Sequence, residues 1–386
     1  MKRLPANIAS IDQALLMIIG ILLSIGLVMM SSASMDYAAQ KFGEPFFYVI
    51  RQAIYLVMAL AAMVFAYLVP TRFWNRHDQV FALLAIGLLV LVLLVGREIN
   101  GSTRWIPLGI INLQASEPAK LFLLIFMAGY LVRRQKEVKE SWTGFAKPGA
   151  VLAVVSMLLL MEPDFGATVV ILFSCFGMIF LAGLGLKQIA AALLLVAVAV
   201  LALIFQSAYR MQRVRCFIDP WAYAYDCGYQ LTQSLIAFGR GEFFGLGLGN
   251  SIQKLFYLPE AHTDFVFAII AEELGGVGSL LVLALFAALI GKIFAIGYRA
   301  EQVQKLYQAY LAYGIGLLVF AQVFINVGVN TGLLPTKGLT LPFLSYGGSS
   351  LIIVCMMMGI LLRIDADLRS EQTESRSQNA LSRRLA

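Results

Sequence analysis

Charge is what this 386-residue chain has least of. Asp, Glu, Lys and Arg make up 13% of it, while 60% is hydrophobic; a soluble domain carries roughly a quarter charged residues. The mean hydropathy is +0.82. No aqueous fold hides that much apolar surface, so a soluble protein is excluded. Histidine is rarer still, with only His77 and His262, and the four cysteines, Cys175, Cys216, Cys227 and Cys355, show no ligand spacing. A zinc or cluster centre needs such spacing, so no metal site is expected, and one built on His262 plus nearby acids has little support. Missing too is any basic run interleaved with aromatics. The net charge of +7 is therefore no nucleic-acid footprint.

What the chain has is long apolar runs, too long and unbroken for barrel strands of ~10 alternating residues. They read as helices of about 20 residues each. The expected fold class is an all-α integral membrane protein with ten transmembrane helices, at about 12–30, 47–69, 79–96, 116–132, 148–161, 165–182, 188–206, 264–290, 306–330 and 349–363. With both termini cytoplasmic, 18 of the 29 lysines and arginines fall on that side, among them Arg72, Arg133, Arg134, Lys147, Lys292 and Arg369. The positive-inside rule thus favours an N-in, C-in topology with a large extracytoplasmic loop between helices 7 and 8. Lys2, Arg3 and Ser31-Ser32-Ala33-Ser34 imitate a cleaved signal, but Asp12 interrupts the lead-in and nine further spans follow. A retained first helix is expected. Residues 1–369 read as a single polytopic domain, and 370–386, rich in Ser, Arg, Glu and Gln, as a disordered tail.

The unusual residues crowd the outer connections 97–116, 207–263 and 331–348. Apolar pieces of the middle one (231–238, 243–248, 255–258) are expected to lie in the interface or fold back over the bundle. Such a lid suits a substrate with a lipid tail and a polar head. Cys216 and Cys227 fall in the same loop, where oxidation is permitted, and a disulfide or two free thiols both fit.

Four clusters there carry candidate chemistry. Arg104-Trp105 is followed by Ser116-Glu117-Pro118-Ala119-Lys120, which also reads as an ordinary helix start. Glu117 and Lys120 can simply pair, yet Lys120 would lie a turn inside the membrane, where a cation needs a purpose. Arg210, Arg213 and Arg215 are either a solvated headgroup-contacting face or diphosphate ligands, since guanidinium forks match phosphate oxygens. Lys337 and Ser345-Tyr346-Gly347-Gly348-Ser349-Ser350 precede the last helix, where unpaired N–H groups favour anions; the alternative is a re-entrant turn packed for close approach. The fourth is Leu258-Pro259-Glu260-Ala261-His262-Thr263-Asp264-Phe265, an acid at a membrane boundary and hence a functional candidate. Thr263 or Asp264 could instead merely cap the eighth helix. Glu272 lies about 80° round from Asp264 and about 12 Å deeper, and Glu273 on the opposite face. Both read as structural ion-pair partners rather than reagents. Gly245-Leu246-Gly247-Leu248-Gly249 follows no strand, so it is not a dinucleotide fingerprint.

That octapeptide, with Ala271-Glu272-Glu273-Leu274-Gly275, Gly239-Arg240-Gly241, Gly228-Tyr229-Gln230-Leu231-Thr232-Gln233-Ser234, Glu162-Pro163-Asp164 and Leu344-Ser345-Tyr346-Gly347-Gly348-Ser349, resembles the SEDS family (shape, elongation, division and sporulation) over nearly the whole chain. Leu334-Pro335-Thr336-Lys337-Gly338-Leu339-Thr340 is similar to the family's division branch. The resemblance implies a ten-helix peptidoglycan glycosyltransferase that polymerises lipid II on the outer face of the cytoplasmic membrane at the division septum. It also implies a class B penicillin-binding protein as partner, with other division proteins. The acid matching Asp264 is implied as catalytic.

Displacing a lipid diphosphate asks for a base to take the acceptor's proton, a role assigned to Asp264. The departing charge asks for cations or N–H dipoles: Arg104, Lys120, Arg213, Lys337, Ser345, Gly347, Gly348 and Ser349 are the candidates. A divalent cation is left open as a helper, with no all-protein ligand set to hold it. The rival classes are a flippase for the same lipid and a non-catalytic scaffold. Transporters place coupling residues near the midplane between repeats; here the charges crowd one face and no clear repeat is found.

Overall fold

The computed structural model describes residues 12–99, 102–107, 112–183 and 208–385, with isolated positions between 185 and 205. The expected seventh span, 188–206, therefore lies outside the described residues. Helix α1 (Gln13–Phe42) starts where Asp12 accepts from Leu15 N at 3.0 Å and stops at Gly43, whose left-handed φ of 73° ends it without a Cβ penalty. Next come α2 (Phe47–Leu68), the single turn and a half of α3 (Thr71–Arg76) and α4 (Asp78–Val95). Helices α5 (Ser116–Arg133), α6 (Gln135–Glu140), α7 (Trp142–Met161) and α8 (Phe165–Leu181) complete the first half. After the gap, α9 (Ala208–Ile218) and α10 (Tyr229–Gly241) precede α11 (Val266–Gln302), α12 (Leu306–Asn330) and α13 (Gly348–Leu385).

Among the described residues six helices are long and apolar enough to cross a membrane: α1, α2, α4, α7, α11 and α12; α8 is apolar but shorter. They turn large apolar side chains outward, such as Leu83, Leu94, Val57 and Leu280, a surface that only lipid or a partner can cover. α5 is the opposite case: nearly every side chain from Ser116 to Leu131 is buried, so it runs through the middle of the bundle. α13 packs along α2, and α11 along α12.

Three findings go beyond the sequence reading. The connection 97–116 holds a small antiparallel sheet, β1 (Arg97–Ile99), β2 (Ser102–Pro107) and β3 (Asn112–Gln114), in the order β1-β2-β3, with Trp105 opposite Gln114. Cys216 and Cys227 form a disulfide, closing the alternative the sequence left open. And α13 runs from Gly348 to Leu385. Past Gly359 no Gly or Pro interrupts it, and Glu, Gln, Arg and Ala are good helix formers.

The glycine run 245–249 serves backbone contact. α11 breaks at Gly275 (φ 69°, ψ −168°), and the chain at 242–247 docks into the break. Leu246 N and Gly247 N donate to the carbonyls of Glu272 and Glu273, while Gly276 N and Val277 N donate to those of Glu242 and Phe243, all at 2.9–3.1 Å. A Cβ at Gly245 would lie 2.2 Å from Glu273 O, and one at Gly241 1.9 Å from Ala271 O. Only glycine allows this approach. Beside it Phe243 and Phe244 stand 76% and 84% exposed.

At the other end of the bundle, buried carboxylates tie three helices together. Asp12 accepts from Lys292 at 3.2 Å and Arg369 at 2.8 Å, and Asp365 accepts from Arg299 and Arg369 at 2.6 Å each.

Candidate active site

The segment ahead of α11 folds around one carbonyl. Thr263 N, Asp264 N and Phe265 N all donate to Glu260 O at 3.1–3.2 Å, which forces Glu260 to a left-handed φ of 57°. Neither Thr263 nor Asp264 caps the helix. Thr263 Oγ1 donates to Glu260 O and Oε2 instead. The first-turn donor Ala268 N is shared between Phe265 O at 3.0 Å and Asn330 Oδ1 at 3.1 Å, the latter from the far end of α12. Asn330 Nδ2 and Asn326 Nδ2 in turn donate to the Asp264 carbonyl at 3.1 and 2.9 Å. The Asp264 backbone is thus clamped while its carboxylate accepts no hydrogen bond from any described residue. This arrangement sets aside the capping alternative.

The carboxylate is partly covered and lies against Gly338, where a Cβ would sit 2.5 Å from Oδ2. It lies ahead of the first helical turn, outside the spanning segment. Burial pushes its acid up to about 7; Glu260 and Asp164 add to the rise and Arg104 opposes it. A carboxylate so tuned exchanges a proton near neutral pH.

Arg104 on β2 is fixed by donating Nε to Glu162 O at 3.1 Å and Nη2 to Pro163 O. Asp164 is committed: it caps α8 through Ala167 N at 3.1 Å and accepts from Ser116 Oγ at 2.9 Å and Gln114 Nε2 at 3.2 Å. Glu162 is fully buried, and among the described residues neither carboxylate oxygen has a hydrogen-bond partner. Burial, then Asp164, raises its acid to about 8 against the pull of Arg104, so it holds its proton at neutral pH.

The 331–348 loop joins the same site. Lys337 stacks its ammonium over the Phe165 ring at 5.0 Å, and Arg213 Nη1 reaches Thr336 O at 3.3 Å. Asn326 Nδ2 donates to Leu339 O at 2.6 Å, and Tyr346 N to His262 O at 2.9 Å. Ser345 Oγ accepts from Leu341 N at 2.8 Å, just before Gly347 and the start of α13 at Gly348. Ser349 Oγ is stitched to β3, donating to Asn112 O at 2.9 Å and accepting from Gln114 N at 3.1 Å.

Arg104 thus acts on Asp264 directly, while Arg213 and Lys337 belong to or hold the loop whose Gly338 lies against it. Lys120 does not reach them: it is 1% exposed, with its ammonium 2.8 Å from Glu117 Oε2, close enough to pair though not aligned as a hydrogen bond. Glu272 accepts from Arg240 at 3.2 Å and from the N–H groups of Ile252 and Gln253, and Glu273 from Lys254 Nζ at 3.0 Å and Ser32 Oγ. Both acids fasten the outer loop. His262 packs among Tyr37, Tyr48 and Tyr346, and burial pulls its imidazole below the usual range. Among the described residues no three His, Cys, Asp or Glu side chains gather as a cation site, so no step is derived through a divalent ion. The sequence reading missed Gln114, Asn326 and Asn330. Two asparagines one turn apart in an apolar helix were the available signal.

Asn330→Ala removes one of the two acceptors of Ala268 N–H and one of the two amide donors to the Asp264 carbonyl, and so loosens the Asp264 backbone. It is expected to cost about 1–3 kcal/mol of stability, seen as a lower melting temperature.

Comparison with known proteins agrees with this picture. Residues 13–370 match the cell cycle protein family of FtsW, RodA and SpoVE. A protein from Hahella chejuensis, named as a probable peptidoglycan glycosyltransferase FtsW, is 53% identical over 94% of this chain and 92% of its own. One from Aeromonas salmonicida with the same name is 51% identical over 97% and 95%. Among solved structures, one described as showing structural coordination of polymerization and crosslinking by a peptidoglycan synthase complex aligns with a TM-score of 0.78 at 29% identity, covering 93% of this chain and 98% of its own. Thermus thermophilus RodA, a rod shape determining protein, aligns with a TM-score of 0.69 at 28% identity, over 94% and 98%. With the match running through nearly every described helix and through the loops that carry Asp264, the chain belongs to the FtsW/RodA/SpoVE family of cell cycle proteins.

Proposed function

We propose that this chain polymerises lipid II into glycan strands at the outer face of the cytoplasmic membrane during septal wall synthesis, releasing undecaprenyl diphosphate. It is a peptidoglycan glycosyltransferase, the activity its curated relatives are named for. The observation that carries the mechanism is Asp264, a carboxylate with an acid near 7 and no hydrogen bond from a described residue, on a backbone clamped by Asn326 and Asn330. In the reaction an acceptor hydroxyl attacks the anomeric carbon as the bond to the lipid diphosphate breaks. Asp264 takes the hydroxyl's proton, and Arg104, Arg213 and Lys337 meet the charge growing on the diphosphate.

The six long apolar helices, together with α5, α8 and α13, make up nine spans among the described residues, with Asp264 outside and both termini inside. A penicillin-binding protein is the proposed partner, supported by the likeness to a synthase that couples polymerization to crosslinking.

The base role fixes a pH dependence. Only the ionised carboxylate accepts a proton, so kcat/KM rises with pH by roughly tenfold per unit below about 7 and levels off above it. The measurement is glycan length and yield from labelled lipid II, with purified protein and its transpeptidase partner, between pH 5.5 and 8.5. A flat profile would remove Asp264 from the proton transfer. Movement of lipid II across vesicles with no polymer formed would favour a flippase.

A further inference from the structure

At the end of the bundle opposite Asp264, a cavity of about 600 Å³ opens where α4 begins, α5 ends and α7 begins. That volume lies within the range of small-molecule sites. One wall is polar and cationic: Arg133, Arg134 and Lys147, with Gln79 and Tyr130. The other is apolar, Phe126 and Val151. The walls therefore suit an amphiphile rather than a purely polar or purely apolar guest.

The charges around it do not cancel. Arg133 pairs with Asp78, which is buried beneath it, while Arg134 and Lys147 share the single carboxylate of Glu137. Among the described side chains three cations thus face two carboxylates, leaving one positive charge over. The two that share a partner are the more exposed, with side chains 52% and 53% exposed against 38% for Arg133. Tyr130 is held in place by donating to Gly144 O at 2.9 Å, so that wall is preformed.

Depth in the membrane is also marked. Trp142, exposed at the first position of α7, stands where an interfacial aromatic anchors a helix at headgroup level. Farther along the same helices, Leu83 and Leu84 on α4 and Val154 and Met157 on α7 are exposed and apolar, a bed for acyl chains. Positive-inside counting puts this end in the cytoplasmic leaflet, where anionic lipids attract basic pockets between helices.

We propose that this cavity binds the phosphate headgroup of an anionic phospholipid, with Arg134 and Lys147 on the phosphate and the acyl chains along α4 and α7. The site is independent of the glycosyltransferase reading and lies at the other face of the molecule.

The test uses the full chain purified in neutral detergent and titrated by calorimetry with short-chain phosphatidylglycerol, short-chain phosphatidylcholine or inorganic phosphate. Phosphatidylglycerol is expected to bind at least tenfold more tightly than phosphatidylcholine, and millimolar phosphate is expected not to displace it. Each cation near an anionic headgroup contributes roughly a fivefold factor, so Arg134→Ala with Lys147→Ala weakens binding roughly 25-fold. Lys147→Ala alone, the milder change should the pair fail to fold, weakens it roughly fivefold. The charge-conserving Arg134→Lys with Lys147→Arg keeps most of the affinity. Equal binding of the two lipids, full displacement by free phosphate, or undiminished binding by the alanine variants would each overturn the proposal.

Discussion

Asp264→Asn is expected to cut glycan polymerisation by roughly 10²–10⁴-fold, the usual worth of a positioned proton acceptor, while the melting temperature holds or rises. Both halves follow from the site. The Asp264 carboxylate caps nothing and accepts no hydrogen bond from the described residues, whereas its carbonyl, which the substitution keeps, carries the bonds from Asn326 and Asn330. Its acid is raised from 3.8 to about 7 by burial, then by Glu260 and Asp164 against the pull of Arg104. A raised acid binds its proton more tightly folded than unfolded, so stability falls as pH climbs from 3.8 to about 7 and stays reduced above. Asparagine carries no charge to bury and removes that loss. The assay is glycan length from labelled lipid II, run beside thermal unfolding at pH 7.5. Polymer at the wild-type rate with a lowered melting temperature would make Asp264 a structural residue.

Lys120→Met is expected to destabilise the protein by about 3–5 kcal/mol, because it strands the buried Glu117 carboxylate. Glu117→Gln together with Lys120→Met should recover most of that loss, since replacing both partners leaves no uncompensated charge. Unfolding in detergent, run as a double-mutant cycle, measures the coupling. A Lys120→Met protein as stable as the parent would refute the pairing. A double variant that folds but makes no glycan would put Lys120 at the substrate.

Much of this was legible in the chain because membrane burial imposes a blunt code. Apolar runs of about 20 residues marked α2, α4, α5, α8 and α12 to within a residue or two, whereas α1, α11 and α13 run on to Phe42, Gln302 and Leu385, α7 begins at Trp142, and the seventh run lies outside the described residues. Asp264 was legible because an acid at such a boundary is costly. What was not legible is contact between distant segments. Nothing local in 112–114 says that Gln114 will join Asp164 to Ser349. Asn330 replaces Thr263 and Asp264 as the cap from 62 positions away, and a tertiary donor leaves no trace in the capped helix's own sequence. The glycine run 245–249 was correctly denied a nucleotide role, but its purpose needed the break at Gly275 to be seen.

That break is pinned on both lips. Four backbone hydrogen bonds fasten the region around Gly275 to the chain at 242–247, and Glu272 and Glu273 add side-chain anchors to Arg240 and Lys254. Two of the four bonds reach the carbonyls of Glu272 and Glu273 and two come from the N–H groups of Gly276 and Val277, so the loop holds α11 on either side of the glycine. The outer loop acts as a splint across the break, and the piece that leads to Asp264 keeps its angle to the rest of the helix.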